Sequence, residues 1–594
     1  MRSVKSNPVY SIYSSLLFSA VLAACGGGGG GTDSTAGSSA GSGSGGGAAV
    51  TVPGIPQALT ASAGNGQAVL NFSAPASDGG SPVLRYTAVC SSNGSSVQAQ
   101  SAASPLTVTG LSNGTLYQCA VSAVNAAGSG PSAMVAVTPQ STGQTSGFQG
   151  SLLLGAPSAD GVTVSVYSGT QNGSVAIRYG RVAGTFEAQT AFSTLQAGSP
   201  VKIRLSGLQA DQTYYYRLQY QAGNSSTVIA GNEYSFHTAR PSGQTFSFTV
   251  QADSHLDENS DLNQYQRTLM NVLADKPDFH IDLGDTFMTE KYAAPLTAVV
   301  QSAQDQATVR ARYAYERGNF GLISHSVPLF LANGNHEGEA GWLNNGTASA
   351  LPVWATLARQ EFFANPAPDS WFTGDPVAEA YVGLRQSWYA WQWGDALFIV
   401  LDPYWNSMTQ ASRDGWNLTL GDRQYQWLSS VLSASKARFK FIFLHNLVGG
   451  LDGQMRGGAE AAPFYEWGGK NADGTDGFAA RRPGWAMPVH ALLVKNKVTA
   501  VFHGHDHLYA KQTLDGIVYQ EVPQPSAVNT SSGASLAATY HYNSGTILSS
   551  AGHLRVTVSP SGVKAEYVRA WLPAAENATR KNAQIDDSWT VAAP

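Results

Sequence analysis

The sequence predicts a multidomain chain: two all-β sandwiches, then a larger α/β domain layered as a β-sandwich flanked by helices. Three observations carry this. Between residues 53 and 240, short period-two apolar runs are separated by turn clusters about every eight to twelve residues, the spacing of sandwich strands. After Thr238 the pattern changes to apolar strands alternating with helical stretches, as in a layered α/β domain. Gly/Ser-rich segments at 26–52 and 140–147 set the modules apart. With 594 residues, 43% of them hydrophobic, the chain is too long for one core and apolar enough to fill several.

At the N-terminus, Arg2 and Lys5 precede an apolar segment over about 10–24. It falls short of the roughly 20 residues that span a bilayer, so residues 1–25 read as a secretory signal. Leu22-Ala23-Ala24-Cys25 resembles a bacterial lipoprotein box, which implies cleavage before Cys25 and lipid attachment to its sulfur. Gly26, standing where an Asp would favour inner-membrane retention, implies outer-membrane sorting. The expected location is the bacterial cell envelope, held by a lipid anchor to the membrane. Residues 26–52, with six consecutive glycines, have too little apolar surface to offset ordering entropy and read as a flexible tether. Charged residues make up 12% and the net charge is −5, which argues against a nucleic-acid-binding surface.

The first module, 53–139, contains AVLNF at 68–72, LRYTAVC at 84–90 and LYQCAVSAV at 116–124. Leu111, Gly114, Thr115, Tyr117, Ala123, Asn125 and Gly128 stand where a fibronectin type III domain keeps its tyrosine corner, and the segment resembles that family along nearly its whole length. Cys90 and Cys119, an even pair in an exported chain, read as a disulfide on neighbouring strands; two buried free thiols are the alternative. The second module, 148–240, has GVTVSVYS at 161–168, GSVAIRYGR at 173–181 and LQADQTYYYRLQY at 208–220, the last repeating the tyrosine-corner pattern. A sandwich joined directly to a hydrolase resembles the N-terminal domain of purple acid phosphatases. Neither module shows a ligand site, and protein partners stay unknown.

The chemistry lies in 245–570. QTFSFTVQAD alternates Phe246, Phe248, Val250 and Ala252 and ends in Asp253-Ser254-His255. A helix follows, with Leu262, Tyr265, Leu269, Val272 and Leu273 at helical spacing. PDFHIDLGD ends in Asp285, VPLFLANGNHE in Asn335-His336-Glu337, FKFIFLH in His445 and VTAVFHGHDH in His503, His505 and His507. ALFIVLD at 396–402 offers no obvious ligand, and residues 422–432 read as a helix. Five strands thus end in residues able to bind metal, and α/β sheets place ligand sites beyond the carboxyl ends of their strands. Carboxylates, imidazoles and one amide suit zinc, manganese or iron.

The series Asp-x-His, Gly-Asp, Gly-Asn-His-Glu, His, Gly-His-x-His resembles the calcineurin-like metallophosphoesterase superfamily. That resemblance implies two divalent metal ions, the first held by Asp253, His255, Asp285 and His507, the second by Asp285, Asn335, His445 and His505. Asp285 would bridge them, and His336 would face a small phosphate-ester substrate as the catalytic residue, either stabilising the pentavalent oxygen or donating a proton to the leaving alkoxide. It further implies in-line attack by a bridging hydroxide without a covalent phosphoenzyme. His503 has a ligand-orienting and a structural reading, and Glu337 and Asp506 are equally open. Residues 571–594 read as a tail.

Purple acid phosphatases typically lack the His of Asp-x-His and carry a tyrosine three residues after the Gly-Asp aspartate. Here His255 is present and Met288 occupies the tyrosine's place, which implies a colourless site for divalent ions. A long segment at 449–488, with Arg456, Tyr465, Glu466, Trp467, Arg481 and Arg482, reads either as a source of a phosphate clamp or as solvated loop charge. The expected activity is hydrolysis of phosphomonoesters in the manner of an acid phosphatase. The alternatives are a phosphodiesterase on the same centre and a surface binding protein with a vestigial hydrolase domain.

Overall fold

The computed structural model describes residues 50–64, 67–92, 95–112, 115–139, 147–223, 225–257, 260–288, 305–409, 414–447 and 456–594. Cys25, the signal segment and nearly all of the tether lie outside the described residues.

The first module pairs Gln57–Gly64, Gln67–Ser73 and Leu106–Thr109 in one sheet, and Ser95–Ser101, Arg85–Ser92, Tyr117–Asn125 and Gly128–Val137 in the other. Inward positions of both sheets, among them Leu70, Tyr86, Val108 and Val121, close a core around Cys90 and Cys119. These two cysteines sit directly opposite each other on adjacent strands and form a disulfide. The Tyr117 hydroxyl accepts from the Ser112 N–H at 3.0 Å, the tyrosine corner seen in the sequence. In the second module the Tyr214 hydroxyl does the same for Gln209 N–H at 2.9 Å.

That second sandwich does not end at its own border. One of its sheets, built from Val201–Ser206, Gly161–Tyr167 and Ser151–Gly155, continues through a parallel contact between Gly155 and Leu329 into the strands of the third domain. The combined sheet has nine strands and goes on through Leu329–Leu331, Phe279–Asp282, Phe246–Gln251, Gly552–Ser559, Gly562–Arg569 and Ile585–Ala592. Arg317, buried on the helix Gln306–Phe320, fastens the joint by donating to the Ser165 carbonyl at 2.8 Å, the Ser165 hydroxyl at 3.0 Å and the Ser151 hydroxyl at 3.1 Å. The last strand also corrects the reading of 571–594 as a tail. Trp589 is buried against the core and its indole N–H donates to Gln520 Oε1 at 2.7 Å; Asp586, Asp587 and Ser588 gave that segment its polar look.

An eight-stranded sheet packs against the first. Its central strands are Ala396–Val400, Phe439–Phe443, Ala500–His503 and Ile517–Glu521, mutually parallel. Phe248, Phe279, Phe330, Phe398, Phe441, Phe443 and Phe502 interlock between the sheets, with Phe248 ring centroids 5.1–6.3 Å from five of the others. Truncating one such ring costs about 3–5 kcal/mol. Outside the layers, the helix Leu262–Asp275 begins at Asp261, whose carboxylate accepts from the N–H groups of Asn263 and Gln264, and buries Tyr265, Leu269 and Val272. Gly421–Ala434 covers the other sheet through Tyr425, Leu428 and Leu432. Among the described residues no helix is long and apolar enough to cross a membrane.

Candidate metal centre

The carboxyl ends of three strands from the first sheet and two from the second point to one place, where the sheets draw together. Asp253 and His255 follow Phe246–Gln251, Asp285 follows Phe279–Asp282, and Asn335 and His336 follow Leu329–Leu331. From the other sheet, His445 follows Phe439–Phe443, and His505 and His507 follow Ala500–His503. The side chains gather in two groups, Asp253 with His255 and His507, and Asp285 with His445 and His505. Within each group the donor atoms lie within 4.8 Å of one another.

The groups are joined. His445 Nε2 is 2.9 Å from Asp285 Oδ2 and 3.8 Å from Asp253 Oδ1, and His255 Nε2 is 3.9 Å from Asp285 Oδ2. His255 Nε2 and His507 Nε2 face each other at 2.8 Å, both about as close to Asp253 Oδ1, at 3.6 and 3.5 Å. Asp285 divides its oxygens: Oδ1 accepts from the His336 N–H at 2.9 Å, and Oδ2 is left toward the histidines.

The chain takes on backbone strain to hold this arrangement. Five of the eight site residues have left-handed backbone: Asp253 at φ 65°, His255 at 52°, Asp285 at 53°, His505 at 83° and His507 at 58°. Non-glycine residues seldom adopt that region, and they do so chiefly where a site demands it. Two glycines make room. A Cβ on Gly334 would come within 2.1 Å of Asp285 Oδ1, and one on Gly504 within 2.6 Å of Asp253 Oδ2. The opening Gly of each motif is therefore required for close approach of a loop to a carboxylate.

Asp253 Oδ1, Asn335 Oδ1 and His505 Nε2 are buried without a hydrogen-bond partner, and Asp285 Oδ2 and His445 Nε2 face each other at 2.9 Å. Such atoms are costly unless something completes them. Each is an atom able to ligate a metal, and together they combine carboxylate and amide oxygens with imidazole nitrogens, so the donor set fits two divalent cations. Burial raises Asp253 and Asp285, but the charge of His445, with the other imidazoles close by, outweighs it and holds both well below the usual carboxylate range. Burial lowers His255 and His505, which keeps their lone pairs available. His445 goes the other way: burial lowers it, and the charges of Asp285 and Asp253 lift it to about 9.

His336 is partly exposed, with 22% of its side chain accessible, as is His507 at 32%, and His336 Nε2 lies 3.9 Å from Asp285 Oδ2. Three residues left open by the sequence have definite places. Glu337 ties two ligand loops together by accepting from the N–H groups of Thr286 and Gly334, each at 2.7 Å. Asp506 pairs with Arg456 and with the Tyr542 hydroxyl. His503 Nδ1 lies 2.6 Å from Glu521 Oε2, behind the loop. The strand without a ligand contributes Tyr404, whose ring centroid is 6.4 Å from that of His445. Arg481 pairs with Asp414, Arg482 with buried Glu466, and Trp467 is in the core, so these residues of the 449–488 segment are engaged away from the centre.

Residues 246–509 match the family model described as calcineurin-like phosphoesterase, and residues 54–138 match that of the fibronectin type III domain. Strands beyond 509 complete both sheets of the hydrolase domain. Among solved structures the chain is similar to one described as the structure of PhoD, at 18% identity over 75% of this chain and 90% of that one, with a TM-score of 0.53. It is also similar to purple acid phosphatase PPD1 from yellow lupin seeds, at 15% identity over 91% of this chain and 96% of that one, with a TM-score of 0.51. At such identities these likenesses speak for the fold. No curated protein sequence matches the chain. With these matches beside the geometry, the chain carries a calcineurin-like phosphoesterase domain behind a fibronectin type III domain and is a phosphoric ester hydrolase.

Proposed function

We propose that the protein is an exported phosphomonoesterase, lipid-anchored through Cys25 in the bacterial cell envelope, that uses two divalent ions. One ion would be held by Asp253, His255, Asp285 and His507, the other by Asp285, Asn335, His445 and His505. The observation that carries this is the convergence of two carboxylates and four imidazoles from both sheets in two adjoining groups, each with its ligand atoms within 4.8 Å of one another. When bound, two such ions polarise a phosphoryl oxygen and supply a nucleophilic oxygen from water at neutral pH.

The chain's own residues do the rest. Asp285, fixed through Oδ1 by the His336 N–H, keeps Oδ2 shared between the two groups and sets their separation. His336, partly exposed beside Asp285, holds a proton at Nε2 for the leaving alkoxide, a task worth about 10² to 10⁴ in rate. Glu337 holds the Asp285 and His336 loops in register. Phenylalanine-filled layers beneath exclude water from the far side.

A monoester preference is supported by the shared build with a protein named as a purple acid phosphatase, which extends over 91% of this chain. Export is supported by the signal-like N-terminus and by the Cys90–Cys119 disulfide, a bond typical of oxidising compartments. Met288, buried where those phosphatases carry a tyrosine, supports divalent ions and a colourless protein. The test is turnover of para-nitrophenyl phosphate against bis(para-nitrophenyl) phosphate. A higher kcat/KM on the monoester is expected, and a clear excess on the diester overturns the monoester assignment.

A further inference from the structure

The segment that enters at Arg456 lies across the back of the Gly504–His507 loop. Arg456 Nε donates to Asp506 Oδ1 at 2.7 Å, its Nη2 approaches the same oxygen at 2.5 Å, and Nη2 also donates to the His505 carbonyl at 3.0 Å. The guanidinium rests on the Tyr540 ring, 3.8 Å from its centroid. The Tyr542 hydroxyl donates to Asp506 Oδ2 at 2.8 Å, and the Asp506 N–H donates to Glu521 Oε1 at 2.9 Å. The segment also fits closely: a Cβ on Gly458 would lie 2.4 Å from Gln512 Oε1 and 3.1 Å from His503 Nε2.

His507 is held by a different anchor, since its carbonyl accepts from Ser550 Oγ at 2.9 Å. Both histidines have left-handed backbone, but of their carbonyls it is that of His505 that Arg456 holds; the His505 N–H is fixed separately, donating to Asp253 Oδ2 at 2.9 Å.

We propose that Arg456 is a positioning residue that fixes the His505 carbonyl and the Asp506 carboxylate, and thereby sets how tightly the chain holds the ion at Asn335, His445 and His505. A guanidinium suits the task because its planar fork engages the carboxylate and a neighbouring carbonyl together while its face stacks on an aromatic ring; an ammonium cannot do all three. The proposal rests on the two-ion assignment above. It also gives the 449–488 segment a role distinct from a phosphate clamp: support of the metal loop from behind.

The experiment is titration of full-length, metal-stripped protein with manganese, with affinities read by chelator competition and content by elemental analysis. Wild type is expected to bind two ions. Arg456→Ala is expected to weaken one of them by about 10- to 100-fold, the range for partners that orient metal ligands, and to leave the other unchanged. Arg456→Lys keeps the charge beside Asp506 without the fork. It should weaken the same ion while the unfolding temperature of the stripped protein stays at the wild-type value, and it carries the test if the alanine variant does not fold. Both ions bound at wild-type strength in the variants, or both weakened alike, overturns the proposal. Wild type that binds fewer than two ions overturns the two-ion assignment instead.

Discussion

Glu337 gives the most detailed prediction, because a residue that touches neither ion nor substrate should control both. It is 3% exposed; Oε1 accepts from the Thr286 N–H at 2.7 Å and the Thr286 hydroxyl at 3.2 Å, and Oε2 accepts from the Gly334 N–H at 2.7 Å. Glu337→Ala leaves two buried backbone N–H groups without an acceptor. At roughly 1–3 kcal/mol for each unsatisfied group, the loss is about 2–6 kcal/mol, a large share of the 5–15 kcal/mol that holds a typical domain. Burial, with the charge of Asp285, raises the Glu337 carboxyl to about 8. Glu337→Gln should be the milder change, because it keeps one acceptor and turns the other into a donor against an N–H, at a cost of roughly 1–3 kcal/mol. The loops it joins carry Asp285 and Asn335, so metal affinity should fall by about 10- to 100-fold as well. Denaturant unfolding of the stripped protein and kcat/KM on para-nitrophenyl phosphate measure the two effects. Stability within about 0.5 kcal/mol and activity within about twofold of wild type for the alanine variant would refute the reasoning, since surface-like changes stay in that range.

His336→Ala should lower kcat by about 10² to 10⁴ while metal content holds at two ions, because its imidazole handles a proton and is not a ligand; loss of an ion in this variant would show the opposite. Glu339, fully buried between Arg359 at 2.6 Å and Arg385 at 3.1 Å, supplies a pH dependence. Burial raises it, but the two guanidiniums bring its carboxyl down to about 2. A depressed carboxyl contributes stability that is full above its unfolded value near 4.5 and is lost as pH falls from there through about 2. The contribution is of the order of 3 kcal/mol. Unfolding free energies at pH 7 and pH 3 should therefore differ less in Glu339→Gln than in wild type. Replacing Cys90 and Cys119 by serine opens a loop of 29 residues. The first sandwich should lose about 3–4 kcal/mol in the chain-entropy model while phosphoester turnover is unchanged; a loss of turnover would mean that this module supports the site.

What the sequence made legible was the set of strand ends. Strands buried on the inter-sheet face announce themselves by alternation, as in Phe246, Phe248 and Val250, and each ends where a donor residue begins. Asp253, His255, Asp285, His336, His445, His505 and His507 come together for that reason. Charged residues that act as glue could not be sorted. Glu337, Asp506 and Arg456 acquire their roles from partners far along the chain, 51 positions away for Glu337 and Thr286 and 50 for Arg456 and Asp506, and local pattern carries no information at that range. Asp402 ends a strand as a ligand would, yet it lies 2.8 Å from buried Arg385, in the same charge network as Glu339. Left-handed backbone at Asp253, Asp285 and His505 was equally hidden, because it is imposed by tertiary contacts against local preference. The shared nine-stranded sheet was hidden by a linker-like border near residue 240, since the pairing of Gly155 with Leu329 spans the border in space and not along the chain.

The most direct test of two ions sharing one carboxylate is anomalous scattering from crystals of the manganese-loaded protein. The account predicts two peaks, one among Asp253, His255 and His507, the other among Asn335, His445 and His505, with an oxygen of Asp285 in contact with each. A single peak, or metal bound anywhere that leaves Asp285 without a contact, would contradict it.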